Sequence, residues 1–263
     1  MESLAYERLH ANLIALKLGT VETTIDSYLE LATTEGKSLV EIMDYLLDEE
    51  VRARNNSALE TRMKLAGFPV KKTLDDFDFS FQPSIDPAVI KELRTLRFIH
   101  NAECVVALGP PGVGKTHLAI GLGVEAIRRG FSVYYTTAST LLEGLRKADR
   151  RDQLDRKLKT LGKYKLLIID EIGYLPMKKE DAHMFFHLVS RRYEKASTVF
   201  TSNKPYSEWG EILGDPVIAA ATLDRILHHS TTISIKGDSY RLRARRRLGT
   251  QVPQLKNPIG GES

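Results

Sequence analysis

The chain has a single cysteine, Cys104, in 263 residues. One thiol cannot close an intrachain disulfide, so the fold must rest on a packed core, and a reducing compartment suits it. No stretch approaches the roughly 18 apolar residues of a membrane span. The opening MESLAYERLH carries acids where a signal peptide carries its apolar segment. These absences predict a cytoplasmic protein without a membrane span. His183 and His187 stand four apart, but the glutamate of an HExxH zinc site is missing between them and no third ligand is evident. A packing or surface role is expected of both. No nucleophile, histidine and acid combine into a hydrolytic triad.

What is present begins with apolar content of 42%, enough for one full core and a small second domain. Residues Cys104 to Thr116 read CVVALGPPGVGKT, an apolar strand running into the full GxxxxGKT spacing of a phosphate-binding loop. Glycines let the backbone turn its N–H groups towards phosphate oxygens, and the helix that follows adds the positive end of its dipole. Lys115 is placed to reach the β and γ phosphates and Thr116 to ligate Mg²⁺. The expected nucleotide-binding set is Gly109, Pro110, Pro111, Gly112, Val113, Gly114, Lys115, Thr116 and His117, with ATP and Mg²⁺ as cofactors. A helix is expected over His117 to Arg129, stopped by Gly130.

A second apolar run, LLIIDE at 166–171, ends in adjacent carboxylates. Asp170 is expected to hold the metal through its water, and Glu171 to orient and deprotonate an attacking water. Between the two motifs lies another strand, FSVYYT at 131–136, and after them TVFTSN at 198–203 and a fifth strand at 231–235. Asn203, at the tip of its strand, is expected to touch the γ phosphate or the water. Short apolar strands alternating with helical stretches predict an α/β fold, a parallel sheet covered on both faces with the ligand at the strands' carboxyl ends.

Charge is unevenly spread. Residues 1–70 hold 7 Lys and Arg against 12 Asp and Glu, whereas 101–263 hold 26 against 17. The excess in the second part points to a polyanion. It gathers at 140–165, with 9 basic and 4 acidic residues, and at 236–247, with 6 basic residues against Asp238 alone. In the first cluster Leu141, Leu142, Leu145, Leu154, Leu158 and Leu161 mark an amphipathic helix or a broken pair. Arg146, Lys147, Arg150, Arg151, Arg156 and Lys157 lie on its polar face and are the expected DNA contacts. No aromatics interleave with them, so phosphate contact is favoured over base stacking. In the acidic amino-terminal part, Leu39, Ile42, Met43, Leu46, Leu47 and Val51 mark one helical stripe before Gly67-Phe68-Pro69 breaks it. Another helix is expected over Thr23 to Leu31.

The phosphate loop, LLIIDE, TSN at 201–203 and LDRILHH at 223–229 resemble the AAA+ ATPases of the DnaC and IstB group. Within it, SNKPYSEWGEILGDPV and GDSYRLR are similar to the IstB-type helper ATPase of an insertion-sequence transposon, a resemblance covering residues 1 to 247. It implies ATP-dependent oligomers on double-stranded DNA, supporting and regulating a transposase. It also implies helices near 140–165 that project towards nucleic acid, and an adenine near Phe77 and Phe79. No DDE-type triad is present, so the chain would assist strand transfer without performing it. The alternative within the group is a DnaC-like replicative helicase loader. A nucleotide-gated scaffold with negligible turnover is a third class, and a small-molecule kinase is disfavoured by Glu171.

The expected organisation is an acidic helical domain over 1–69, a linker over 70–100, an AAA+ ATPase domain over 101–247 and a tail over 248–263. The 28 residues after Ile235 are too few for a helical lid, so a neighbouring subunit is expected to close the nucleotide. Arg225 is the expected arginine in trans, with Arg191 and Arg192 competing for that part.

Overall fold

In the computed structural model, which describes residues 2–174 and 176–247, the chain divides into two compact units, Met1–Arg62 and Met63–Ser263. The expected tail lies outside the described residues.

The first unit is helical: α1 (Glu2–Ala15), α2 (Gly19–Glu35) and most of α3 (Leu39–Ala66). Its core is small, with Leu13, Val21, Ile25 and Leu46 buried and Leu18, Tyr28, Leu29 and Ile42 packed around them. The stripe expected on α3 is only partly internal, since Leu39, Met43, Leu47 and Val51 are exposed. The second helix starts at Gly19, four residues earlier than expected, because Glu50 of α3 accepts hydrogen bonds from the Thr20 and Val21 N–H groups and caps its first turn.

The second unit opens with two short helices, α4 (Pro87–Arg94) and α5 (Arg97–His100). Strand β1 (Cys104–Leu108) and helix α6 (Lys115–Arg128) follow, then β2 (Val133–Thr137), α7 (Ala138–Asp149), α8 (Leu154–Lys163) and β3 (Leu166–Ile172). The remainder is α9 (Lys179–Arg192), β4 (Ser197–Ser202), α10 (Trp209–Ile212), α11 (Pro216–His228), β5 (Ser230–Ser234) and α12 (Tyr240–Arg247). The strands form one parallel sheet in the order β2-β3-β4-β1-β5. The α/β sheet flanked by helices, expected from strand and helix alternation, is therefore present. Strand β2 begins two residues late because Gly130 (φ +87°) and Phe131 close α6, with the Phe131 N–H donating to the Ala126 carbonyl at 3.0 Å.

Alternation along the buried strands assigns the two faces of the sheet. Leu167, Ile169 and Phe200 pack with Leu141, Leu145, Leu158, Leu161, Phe185, Leu188 and Trp209 from the helices α7 to α10. On the other face α6 lies so close that a Cβ on Gly123 would stand 2.8 Å from Ile168 Cδ1. The leucine-rich basic segment is a broken pair of helices, α7 and α8, interrupted where Asp152 takes φ +53°.

Arg192, an expected candidate for a catalytic arginine, is a structural residue. It is 2% exposed, and its guanidinium donates to the Thr198 hydroxyl and to the carbonyls of Leu161, Tyr164 and Ser197. Burial pushes its pKa down to about 10, and no side chain so enclosed can reach a neighbouring molecule. Arg192→Ala should leave three carbonyls without a donor and lower stability by about 3 kcal/mol or more. Thermal unfolding would then shift down by roughly 6–12 °C, with Arg192→Lys recovering only part, since an ammonium cannot span the same acceptors.

Candidate active site

Because β4 lies between β3 and β1, the carboxyl ends of these three strands place the phosphate loop, Glu171 and Thr201 around one cavity of about 450 Å³; Asp170 is outside its wall, bonded to Thr116 and Thr201. Gly112, Gly114, Lys115, Thr116 and His117 line it; Gly109, Pro110, Pro111 and Val113 do not. Proline has no N–H to offer, and Pro110 and Pro111 are exposed, while the Val113 side chain is fully buried under the loop. Gly109 is needed for a close approach: a Cβ there would stand 2.3 Å from the Ile235 carbonyl oxygen. At Gly114, which caps α6 with φ +104°, a Cβ would meet the Phe77 ring at 2.5 Å.

Lys115 is 8% exposed and donates from Nζ to the carbonyls of Gly109 (2.6 Å) and Pro110 (2.8 Å). Burial lowers its pKa and the Asp170 charge partly offsets this. His117 is also lowered by burial, and its Nε2–H donates to the Thr73 carbonyl at 2.8 Å.

Asp170 is 2% exposed and gathers three hydroxyl donors. Thr116 donates to Oδ1 at 3.0 Å, Tyr135 of β2 to Oδ2 at 2.6 Å, and Thr201 of β4 to Oδ1. The Tyr135 phenol is pushed up by burial and by this bond, and stays protonated as a donor. The Thr116 hydroxyl and the Asp170 carboxylate form a paired set of hard oxygen donors, the kind a small divalent cation such as Mg²⁺ takes beside phosphate.

Glu171 is turned away from this network. The β3–β4 register shifts between Ile169 and Ile172, and Glu171 sits in that irregularity at φ +64°, exposed and lining the cavity. Its N–H donates to the Thr201 hydroxyl at 3.0 Å. Thr201 therefore supports both carboxylate residues and itself lines the cavity. Asn203 lies just beyond β4 and is not part of the wall; its Oδ1 is buried without a hydrogen-bond partner.

The remaining wall comes from Ile120, Tyr174, residues 70–78 and α12, with Phe77, Asp78, Tyr240 and Arg241 facing the cavity. The segment 70–100, expected as a linker, is fastened to the chain after β5. Gln82 donates to the Asp238 carbonyl (3.1 Å), Ser84 to that of Lys236 (2.9 Å) and the Tyr240 phenol to that of Asp78 (3.2 Å). The Tyr240 N–H donates to the Gly112 carbonyl at 3.0 Å, joining α12 to the phosphate loop. Sequence reasoning missed Tyr135, Thr201, Tyr240 and Arg241. The last two sit in the quoted GDSYRLR stretch, which was the available signal.

Arg225 is outside this cavity. It lies over the Phe186 ring at 4.5 Å and donates to the Ala221 carbonyl at 3.1 Å, near the amino ends of β1 and β4. Arg191 pairs with Asp155 at 2.6 Å. Of the expected DNA contacts, Arg146 faces Asp181 at 3.3 Å and Lys147 pairs with Glu143 at 2.5 Å. Arg150, Arg151, Arg156 and Lys157 make no ion pair among the described residues. Arg156 faces an open groove between α8 and α9 with Lys159, Lys163, Arg191 and Lys195.

A parallel sheet with a glycine-rich loop between β1 and α6, and a buried aspartate followed by an exposed glutamate at the end of β3, defines a P-loop nucleotide-binding protein. The family model of the IstB-like ATP binding protein matches residues 11–248, and the chain belongs to that family. It is 48% identical over 234 residues to a protein named for ATP binding in insertion sequence IS21 of Pseudomonas aeruginosa, covering 89% of this chain and 88% of that one. It is 46% identical over 240 residues to the corresponding protein of insertion sequence IS5376 of Geobacillus stearothermophilus, covering 91% and 96%. Among solved structures the fold is similar to DnaI (TM-score 0.53, 24% identity, 63% of this chain and 92% of that one). It is also similar to the replication initiator DnaA bound to AMPPCP and single-stranded DNA (TM-score 0.54, 18% identity, 72% and 58%). The chain is thus an ATP-binding protein of the IstB type. No helix among the described residues is long and apolar enough to cross a membrane.

Proposed function

We propose that the chain hydrolyses ATP with Mg²⁺, and that ATP-bound subunits assemble on duplex DNA to regulate the transposase of their insertion sequence. The observation that carries the hydrolytic reading is the separation of the two carboxylates. Asp170 is sunk in a hydroxyl cage beside Thr116, whereas Glu171 stands free in the cavity on a strained backbone. A carboxylate held against a hydroxyl suits the metal, which supplies charge neutralisation on the phosphates. An exposed carboxylate suits a water. Lys115 takes the β and γ oxygens, the amides from Gly112 to Thr116 hold the phosphates, and Phe77 packs beside the base. Asn203 is retained as a polar contact to the water or the γ phosphate.

Support for the partner comes from the relatives, whose names place them in insertion sequences; this favours transposition over helicase loading. Support for DNA comes from Arg150, Arg151, Arg156 and Lys157, which make no ion pair among the described residues, and from the open basic groove that Arg156 lines. Arg225, turned away from its own cavity, is assigned to the cavity of a neighbouring subunit. The acidic helical unit, with Leu39, Met43, Leu47 and Val51 exposed, is assigned to docking against a protein partner or a neighbouring subunit. The segments 1–69, 70–100 and 101–247 serve as docking module, connection and ATPase.

Lys115→Ala should lose ATP binding, while Glu171→Gln should bind ATP and turn it over about 10²–10⁴-fold more slowly. Wild-type turnover by Glu171→Gln, read in a steady-state phosphate-release assay, would remove Glu171 from the mechanism.

Reversing Arg150, Arg151 and Lys157 to Glu should weaken duplex binding on unrelated sequences alike. The slope of log affinity against log salt should shrink by about 0.9 for each phosphate that is no longer neutralised. An unchanged slope in fluorescence anisotropy titrations would move the DNA surface to 236–247.

Arg225→Ala should bind ATP normally and hydrolyse it on the order of 10³-fold more slowly. Mixing it with Lys115→Ala subunits on DNA should restore part of the turnover. A strictly linear decline across mixing ratios would place Arg225 within its own subunit or in the fold alone.

A further inference from the structure

At the end of the sheet opposite the nucleotide cavity, two turns bring three metal-binding side chains together. Glu194 lies in the turn between α9 and β4; His228 and His229 lie where α11 hands over to β5. Strands β4 and β5 flank β1, and the Cys104 N–H at the start of β1 donates to the His229 carbonyl at 2.8 Å. Glu194 Oε1 is 3.8 Å from His229 Nε2 and 4.0 Å from His228 Nδ1. One donor atom from each residue lies within 4.8 Å of the other two, and among the described residues no other three such side chains converge this closely.

Two local features shape the cluster. The Tyr193 hydroxyl is 2.6 Å from His228 Nδ1, the nitrogen that faces Glu194, and gives up this hydrogen bond when that nitrogen takes a metal. Glu194 holds φ +56°, a left-handed backbone that non-glycine residues adopt rarely. The carboxylate lies 3.8 and 4.0 Å from the two rings, too far for a hydrogen bond.

We propose that Glu194, His228 and His229 bind a divalent transition metal of the zinc type. Tetrahedral Zn²⁺ with ligand bonds of about 2.0–2.1 Å sets its donors roughly 3.3 Å apart. The Glu194 to imidazole distances therefore need to close by less than about an ångström, and all three side chains are more than half exposed. Two imidazoles with one carboxylate suit zinc, cobalt or nickel, whereas Mg²⁺ and Ca²⁺ take oxygen donors. Three protein ligands leave a fourth position for water. The ion ties the turn before β4 to the turn before β5 and so clips both flanks of β1, stabilising the folded chain by mass action. None of the three residues lines the nucleotide cavity, so this metal is separate from any cation that accompanies ATP.

The test uses the full chain, free of any histidine tag, stripped with EDTA and desalted. It is titrated with Zn²⁺ by calorimetry and with Co²⁺ by visible absorption. The expected result is one ion per chain, a Co²⁺ spectrum of nitrogen and oxygen ligation without a thiolate band, and a higher melting temperature with Zn²⁺. Glu194→Gln, His228→Ala and His229→Ala should each weaken binding about tenfold or more, while Cys104→Ser and the paired His183→Ala, His187→Ala variant should bind like wild type. Absence of a one-to-one complex, or wild-type affinity in Glu194→Gln and His229→Ala, would overturn the site. So would loss of binding in the Cys104 or His183/His187 variants. Glu194→Gln keeps the side chain's size, so the question stays decidable if a histidine variant misfolds.

Discussion

Asp170 is a carboxylate removed from water, and the end of the sheet that holds the nucleotide is organised around keeping it there. Burying an ionised group costs several kcal/mol unless hydrogen bonds replace its hydration. The replacements arrive from three different elements: Thr116 at the start of α6, Tyr135 on β2 and Thr201 on β4. The anchoring thus spans β2, β3 and β4 and the helix that carries the phosphate loop. A network of this kind is cooperative, because withdrawing one hydroxyl leaves the others to hold a less compensated charge.

The same constraint explains the neighbouring backbone. A regular strand sends Asp170 and Glu171 to opposite faces, which would bury one of them in a helix layer. The register shift between Ile169 and Ile172, with Glu171 at φ +64°, brings Glu171 to the cavity while Asp170 stays in its buried hydroxyl cage. Strained backbone of this sort persists only where the surroundings hold it, and the bond from the Glu171 N–H to Thr201 is one such hold.

Much of this was legible in the sequence because phosphate chemistry allows few alternatives. GPPGVGKT after an apolar strand leaves little freedom, and LLIIDE ends in a carboxylate pair at the carboxyl end of a buried strand. The sheet followed from alternation of apolar runs. What stayed hidden were contacts made by residues of ordinary type at distant positions: a tyrosine inside FSVYYT, a threonine inside TVFTSN, and the return of residues 70–84 onto the chain after β5. Nothing local distinguishes the Tyr135 hydroxyl, which reaches Asp170 35 positions away, from one that faces solvent. Periodicity also misled on α3, where an apolar stripe marked a helix correctly and yet left Leu39 and Val51 exposed. Arg192 shows the converse, since an arginine beside another arginine reads as surface and is here enclosed by four acceptors.

The bond from the Tyr240 N–H to the Gly112 carbonyl is a small feature with a wide reach. It fastens the first turn of an arginine-rich helix to the backbone that must cradle phosphate, while Gln82 and Ser84 brace the same segment from the other side. Free energy exchanged between two such joined parts flows equally in both directions. A ligand that displaces or steadies this helix would alter the loop's hold on nucleotide by a given factor, and nucleotide in the loop would then alter the hold on that ligand by the same factor.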